Sequence, residues 1–249
     1  MPTLLKIHVI DGHPQHELVW KKSQVPFICD GCKEFGFGVC YQCPHKKCNY
    51  ILHEQCAIRR PSPPFQQFFP KCNFQFHKEN PLGSTTRVCD ICALDIQGFL
   101  YQCTREDHDL HPHCASLPPV FSLPDSNTEI YLRKEIKSRC LKCQSKKRSG
   151  LSYVSSDGKL CYHVACLKEA CLENWKKGYF QLDVISDDEN KCLALQNLAP
   201  KHVVLRSKDQ SSKARKGIKW VIIFLKLLVS AIFGEPLTLL STLFQFYEN

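Results

Sequence analysis

Cys29-Asp30-Gly31-Cys32, answered by His53-Glu54-Gln55-Cys56, decides how this chain folds. The same arrangement returns as Cys89, Cys92, His111, Cys114 and again as Cys140, Cys143, His163, Cys166. The spacer between the inner Cys and the His is 20, 18 and 19 residues. A lone C-x-x-C arises by chance or as a redox pair. Three such pairs, each met by H-x-x-C at nearly constant distance, instead supply four soft or borderline ligands to a tetrahedral structural zinc site.

The 249 residues would ordinarily suggest one or two domains. An internal period of roughly 50–60 residues points to an array of small modules instead. A domain of about 60 residues is marginal on hydrophobic burial alone. Structural zinc contributes on the order of 10 kcal/mol or more per site, so metal rather than packing should decide whether the repeats fold. Seventeen cysteines would also suit a secreted disulfide scaffold. Against that stand the odd number, the histidines in step with the cysteines, and an N-terminus (MPTLLKIHVIDGHPQH) lacking the apolar core of a signal peptide. A reducing compartment is therefore expected: the cytoplasm with peripheral or interfacial membrane association, or the nucleus. The net charge of +9 is no evidence for nucleic acid, because each zinc held by three thiolates and a His adds one net negative charge.

His16 extends the first repeat. With Cys43 and Cys48 the ligand string becomes H-x12-C-x2-C-x10-C-x4-C-x4-H-x2-C. This is similar to the C1 zinc-finger pattern, and it most resembles the plant divergent C1 (DC1) family of Cys/His-rich repeat proteins. The phrases FICDGC, GFGVCYQC, YILHEQCA, VCDICALDIQGFLYQC, DLHPHCASLP and YHVACLKE carry the resemblance, over residues 16–175. It implies two interleaved zincs per complete module. In repeat 1, site A is Cys29, Cys32, His53 and Cys56. Site B is His16, Cys43, Cys48 and a later ligand, for which Cys72 is the candidate before the next module. Cys40 is the alternative to Cys43, and His45 reads as a solvated loop residue.

Repeat 2 opens at His77 and has a complete site A. Its site B holds Cys103, His108 and His77, and either Asp125 or a water completes it or the site is vacant. Repeat 3 keeps only site A, followed by a hairpin turning at Asp157-Gly158, with Tyr153 and Tyr162 on its strands, and then a helix. Val164, Leu167, Cys171 and Trp175 form the apolar stripe of that helix, which makes Cys171 core rather than ligand.

The expected fold class is tandem small zinc-stabilised α+β modules, C1-like with short β-hairpins and short helices, plus a C-terminal α-helical apolar tail. The divisions are residues 1–15, an N-terminal segment; 16–76, repeat 1; 77–125, repeat 2; 126–178, repeat 3; 179–219, a charged linker, basic at its end; and 220–249, the tail. Four zinc ions are expected, five if the second site of repeat 2 is filled. The tail is two apolar runs broken at Gly234-Glu235-Pro236, beside a basic segment at 201–219. That combination favours an anionic membrane surface.

The reading that follows is a non-enzymatic zinc-binding adaptor with an unidentified protein or lipid partner, no small-molecule substrate and no nucleic acid. A thiol/disulfide oxidoreductase would place C-x-x-C at a helix N-terminus in a β-α-β context, which is absent from the pattern. A PHD- or RING-type module of chromatin or ubiquitin pathways needs a closing C-x-x-C, yet position 75, three after Cys72, is Gln.

Overall fold

A computed structural model describes residues 6–7, 13–59, 65, 67–80, 83, 86–122 and 129–177, together with Val221, Phe224, Leu225, Leu228, Val229 and Ile232. The described residues form small Cys/His-rich modules, mostly strand with few helices, and the chain groups into two compact units, residues 1–117 and 118–249.

In the first unit, β1 (Lys6–Ile7), β2 (Leu18–Ile28), β3 (Phe35–Gln42) and β4 (Ile51–His53) form an antiparallel sheet in chain order. The β2–β3 register slips between Ser23 and Phe27. Pro26 lies in that gap, and its missing N–H cannot continue the ladder. A single helical turn, α1 (Glu54–Ala57), carries Cys56 inward. Gly36 is required on β3: a Cβ there would lie 2.3 Å from Nε2 of His53.

Repeat 2 follows with β5 (Phe74–His77), β6 (Arg87–Val88), β7 (Asp95–Ile96), β8 (Leu100–Cys103) and β9 (Asp109–Leu110), then one 3-10 turn at Cys114–Ser116. Strands β5, β8 and β9 form one sheet, and β6 pairs with β7. Repeats 1 and 2 share a core. Phe99 of repeat 2 is buried with Leu18, Phe27, Tyr41 and Leu52 of repeat 1, and Phe76 packs against the cluster. The Phe99 N–H donates to the Gly31 carbonyl at 3.0 Å. A Cβ on Gly98 would stand 2.0 Å from that oxygen, so the close approach needs glycine. Phe65 and Phe69, between Cys56 and Cys72, are buried.

The second unit has β10 (Val120–Ser122), β11 (Glu129–Arg133), β12 (Ser152–Ser155) and β13 (Cys161–His163) as an antiparallel sheet in that order, followed by α2 (Val164–Lys176). Along β11 burial alternates, with Ile130 and Leu132 inward and Glu129 and Arg133 outward, as a strand solvated on one face requires. Residues 120–122, allotted by sequence to repeat 2, thus pair within the sheet of repeat 3. The hairpin is found where the turn residues placed it: Tyr153 pairs with Tyr162, and Gly158 adopts φ +69°. On α2, Val164, Leu167 and Cys171 are buried, while Asn174 is fully buried and Trp175 only half so. Of the apolar tail, the six described positions are helical and buried. The rest of it, the linker at 179–219 and Asp125 lie outside the described residues. No helix among the described residues is long and apolar enough to cross a membrane.

Candidate metal centres

Each C-x-x-C pair is presented by the same backbone device. The residue after the second Cys takes a positive φ: Lys33 at 62°, Ala93 at 53° and Gln144 at 57°. The turn is closed by Lys33 N–H to the Cys29 carbonyl (2.9 Å), Ala93 to Cys89 (2.6 Å) and Gln144 to Cys140 (2.9 Å). The left-handed residue is strained for a side chain bearing Cβ, and it survives where surrounding bonds over-determine it. It curls both thiols of a pair to one side.

The H-x-x-C pair arrives at the end of a strand. In repeats 1 and 3 the His ends the strand and the Cys lies in the helical turn that follows. All three sets converge, their ligand atoms lying within 4.8 Å of one another. In repeat 1, His53 Nδ1 is 3.3 Å from Cys32 Sγ and 3.9 Å from Cys56 Sγ. In repeat 2, His111 Nδ1 is 3.4 Å from Cys92 Sγ and 3.8 Å from Cys114 Sγ. In repeat 3, His163 Nδ1 is 3.4 Å from Cys143 Sγ and 3.5 Å from Cys166 Sγ. Zn–S bonds of about 2.3 Å and Zn–N bonds of about 2.0 Å place tetrahedral ligand atoms roughly 3.3–3.8 Å apart, close to the 3.3–3.9 Å separations here.

The electrostatics suit a cation. Burial opposes ionisation of Cys29 and Cys89, yet hydrogen bonds from Cys32 and Cys56, and from Cys114 and Cys92, hold both thiols well below their ordinary range. The Cys140 thiol is drawn down to about 4, first by its hydrogen bond from Cys166 and against burial. Backbone N–H groups of His53 and His111 also donate to Cys29 Sγ and Cys89 Sγ, at 3.4 Å each. In repeat 3, Arg148 donates to Cys166 Sγ at 3.1 Å.

A fourth set is His13, His16, Cys43 and Cys48. His16 Nδ1 is 3.6 Å from Cys43 Sγ, His13 Nε2 is 3.5 Å from Cys48 Sγ, and the two imidazole nitrogens are 3.1 Å apart. Burial first, then the neighbouring His45 and His13, lower the His16 pKa and favour the neutral, metal-binding form. Three of the four ligands expected at this site, His16, Cys43 and Cys48, are together. Cys40 lies outside the set, its thiol donating to the Lys21 carbonyl at 3.5 Å. His45 stacks on His16 with ring centroids 3.7 Å apart and is not among the ligand atoms.

Cys72 is placed elsewhere, which corrects its assignment to repeat 1. After a turn closed by its N–H on the Phe69 carbonyl, it groups with Glu106 and His108 of repeat 2. Cys103 shares a hydrogen bond with Cys72. Burial, then Cys103, then Glu106 push the Cys72 thiol up to about 12. For Cys103 burial is outweighed by the Cys72 hydrogen bond and by backbone N–H groups, and its pKa falls. His108 Nδ1 lies 3.1 Å from Asp90, and Nε2 3.6 Å from Glu106. His77 does not join this group among the described residues. The β5–β8 register sets His77 opposite Leu100 and Phe74 opposite Cys103, a separation of three residues or roughly 10 Å along the ladder.

His13 and Glu106 were the participants missed by sequence. His13 carried a usable signal: H-x-x-H repeats the three-residue offset of C-x-x-C and H-x-x-C. Cys72 precedes Cys89 by nearly the interval at which His13 precedes Cys29, 16 residues between against 15. Cys161 and Cys171 are buried and stand outside the metal sets.

The four-ligand sets fit zinc binding. The family model of the C1 domain matches residues 11–57. That span takes in both four-ligand sets of repeat 1. No curated protein and no solved structure matches the chain.

Proposed function

We propose that the protein is a non-enzymatic, zinc-binding adaptor of the divergent, plant-type C1 class, built from tandem modules whose ions are structural. The observation that carries this is the enclosure of each C-x-x-C pair by its own H-x-x-C pair. A fully ligated zinc has no open position for substrate, whereas catalytic zinc keeps one. The same enclosure speaks against a dithiol oxidoreductase, since both sulfurs of every pair are committed. It speaks against a PHD-type finger too, because Cys72 turns to repeat 2 rather than closing repeat 1.

In this reading the ions hold rigid loops for a protein or lipid partner in intracellular signalling. The apolar residues of 220–249, preceded in sequence by a basic segment, attach the protein to an anionic membrane surface. Apolar burial combined with screened attraction of Lys and Arg, about 1 kcal/mol each, is sufficient for peripheral binding. Liposome flotation of the full chain and of a chain lacking residues 218–249 tests this. Flotation of the full chain alone, weakened but not abolished by salt, is the expected result. Equal flotation of both, or of neither, would refute membrane attachment through the tail.

A further inference from the structure

We infer that Glu34 of repeat 1 is the carboxylate partner of the zinc ligand His111 of repeat 2, so that the metal site of one module is completed by its neighbour. The inference rests on the zinc-binding reading above.

His111 is fully buried. Its Nδ1 faces Cys92 and Cys114, so a metal there takes the Nδ1 lone pair and leaves the proton on Nε2. That proton faces the Asp95 carbonyl of its own module at 3.2 Å, and Oε1 of Glu34 stands beside it within ion-pair range at 3.4 Å. Only 14% of the Glu34 side chain is exposed. A carboxylate on the far nitrogen of a metal-bound imidazole fixes ring orientation and tautomer and strengthens the metal-binding nitrogen, and its loss typically lowers metal affinity about 10–100-fold.

The other two sites lack this support. Nε2 of His53 faces the Phe35 carbonyl at 3.3 Å. Nε2 of His163 has no hydrogen-bond partner among the described residues.

The carboxylate also couples the two sites. Glu34 follows the first C-x-x-C turn directly, and its carbonyl accepts the Cys29 N–H at 3.0 Å. The loop shaped by the first zinc is therefore the loop that presents Glu34. The modules are held in register around it by Phe99 on Gly31, by stacking of His53 on His113 with centroids 4.7 Å apart, and by Arg59 over Phe76 at 4.4 Å. Emptying the first site frees the loop and weakens the second, and coupling of this kind is reciprocal.

The test uses the full-length zinc-loaded protein, unaltered and with E34A or E34Q, under increasing chelator. Thiols released at each step are alkylated and mapped by mass spectrometry. In E34A, Cys89, Cys92 and Cys114 should become reactive at about 10–100-fold lower chelator than in the unaltered protein, with E34Q intermediate. Cys29, Cys32 and Cys56, in Glu34's own module, should shift less. A merely local structural role predicts the reverse order. Earlier release of the Cys29 set, or no shift in either, overturns the inference while zinc binding stands. Absence of zinc from these sets in the unaltered protein overturns both.

Discussion

Among the three Cys3His sites, that of repeat 3 should surrender its zinc first. The perturbation is a graded chelator challenge, and the magnitude follows from what surrounds each imidazole. A zinc on Nδ1 of His163 leaves an Nε2–H that is buried with no partner among the described residues. A buried donor left unpaired costs about 1–3 kcal/mol. The counterparts in repeats 1 and 2 donate to Phe35 and Asp95 carbonyls. Cys143 is exposed, whereas all four ligands of the corresponding sites in repeats 1 and 2 are buried. Arg148 offsets thiolate charge at Cys166 but does nothing to hold the imidazole. An outer partner is worth about 10–100-fold in affinity, so release from repeat 3 should come at one to two decades less chelator. Stepwise zinc loss followed by native mass spectrometry, with alkylation mapping of Cys140, Cys143 and Cys166, reads this directly. Simultaneous release from all three sites, or release from repeat 3 last, would overturn this order.

Other consequences are equally specific. His13→Ala should remove one zinc from repeat 1, while Cys72→Ser should leave all ions of repeat 1 in place; zinc content of the isolated variants decides, and the opposite pattern would restore Cys72 as the ligand. Gly36→Ala should displace His53, since the added methyl would fall 2.3 Å from its ring nitrogen. Overpacking of this kind costs about 1–3 kcal/mol, readable as lower thermal stability together with weaker zinc binding at Cys29 and its partners. Acidification should release zinc as protons compete for thiolates. Cys140 has a folded pKa of about 4 against an ordinary 9.0, so its contribution to stability is complete above 9.0 and is lost as pH falls through about 4. A zinc-loaded protein whose thermal stability rose on acidification over that range would contradict this sign.

The three Cys3His sites were legible because each is built from two short-range pairs. A three-residue offset fixes both ligands of a pair locally, and the spacer needs only to be long enough for a hairpin. The turn of repeat 3 was readable for the same reason, since Asp157-Gly158 carries its own conformational preference. The second site of repeat 1 was only partly legible. His16, Cys43 and Cys48 followed from the resemblance, but Cys72 stood as the candidate for the last ligand, and the turn after Phe69 carries it to repeat 2 while His13 takes that place. Glu34 lay beyond sequence reasoning altogether. Nothing local relates it to His111; their meeting depends on Gly31 and Gly98 letting two modules share the core around Phe99. Strand register within repeat 2 carried His77 away from Cys103.

Whether structural zinc holds these modules together is read from zinc stoichiometry. Elemental analysis of undamaged protein, paired with native mass spectrometry, should find about four zincs per chain, one for each four-ligand set, or five if the Cys72–Glu106–His108 group also binds. Chelation to zero should unfold the modules. One zinc or none in a chain that remains folded would contradict the claim.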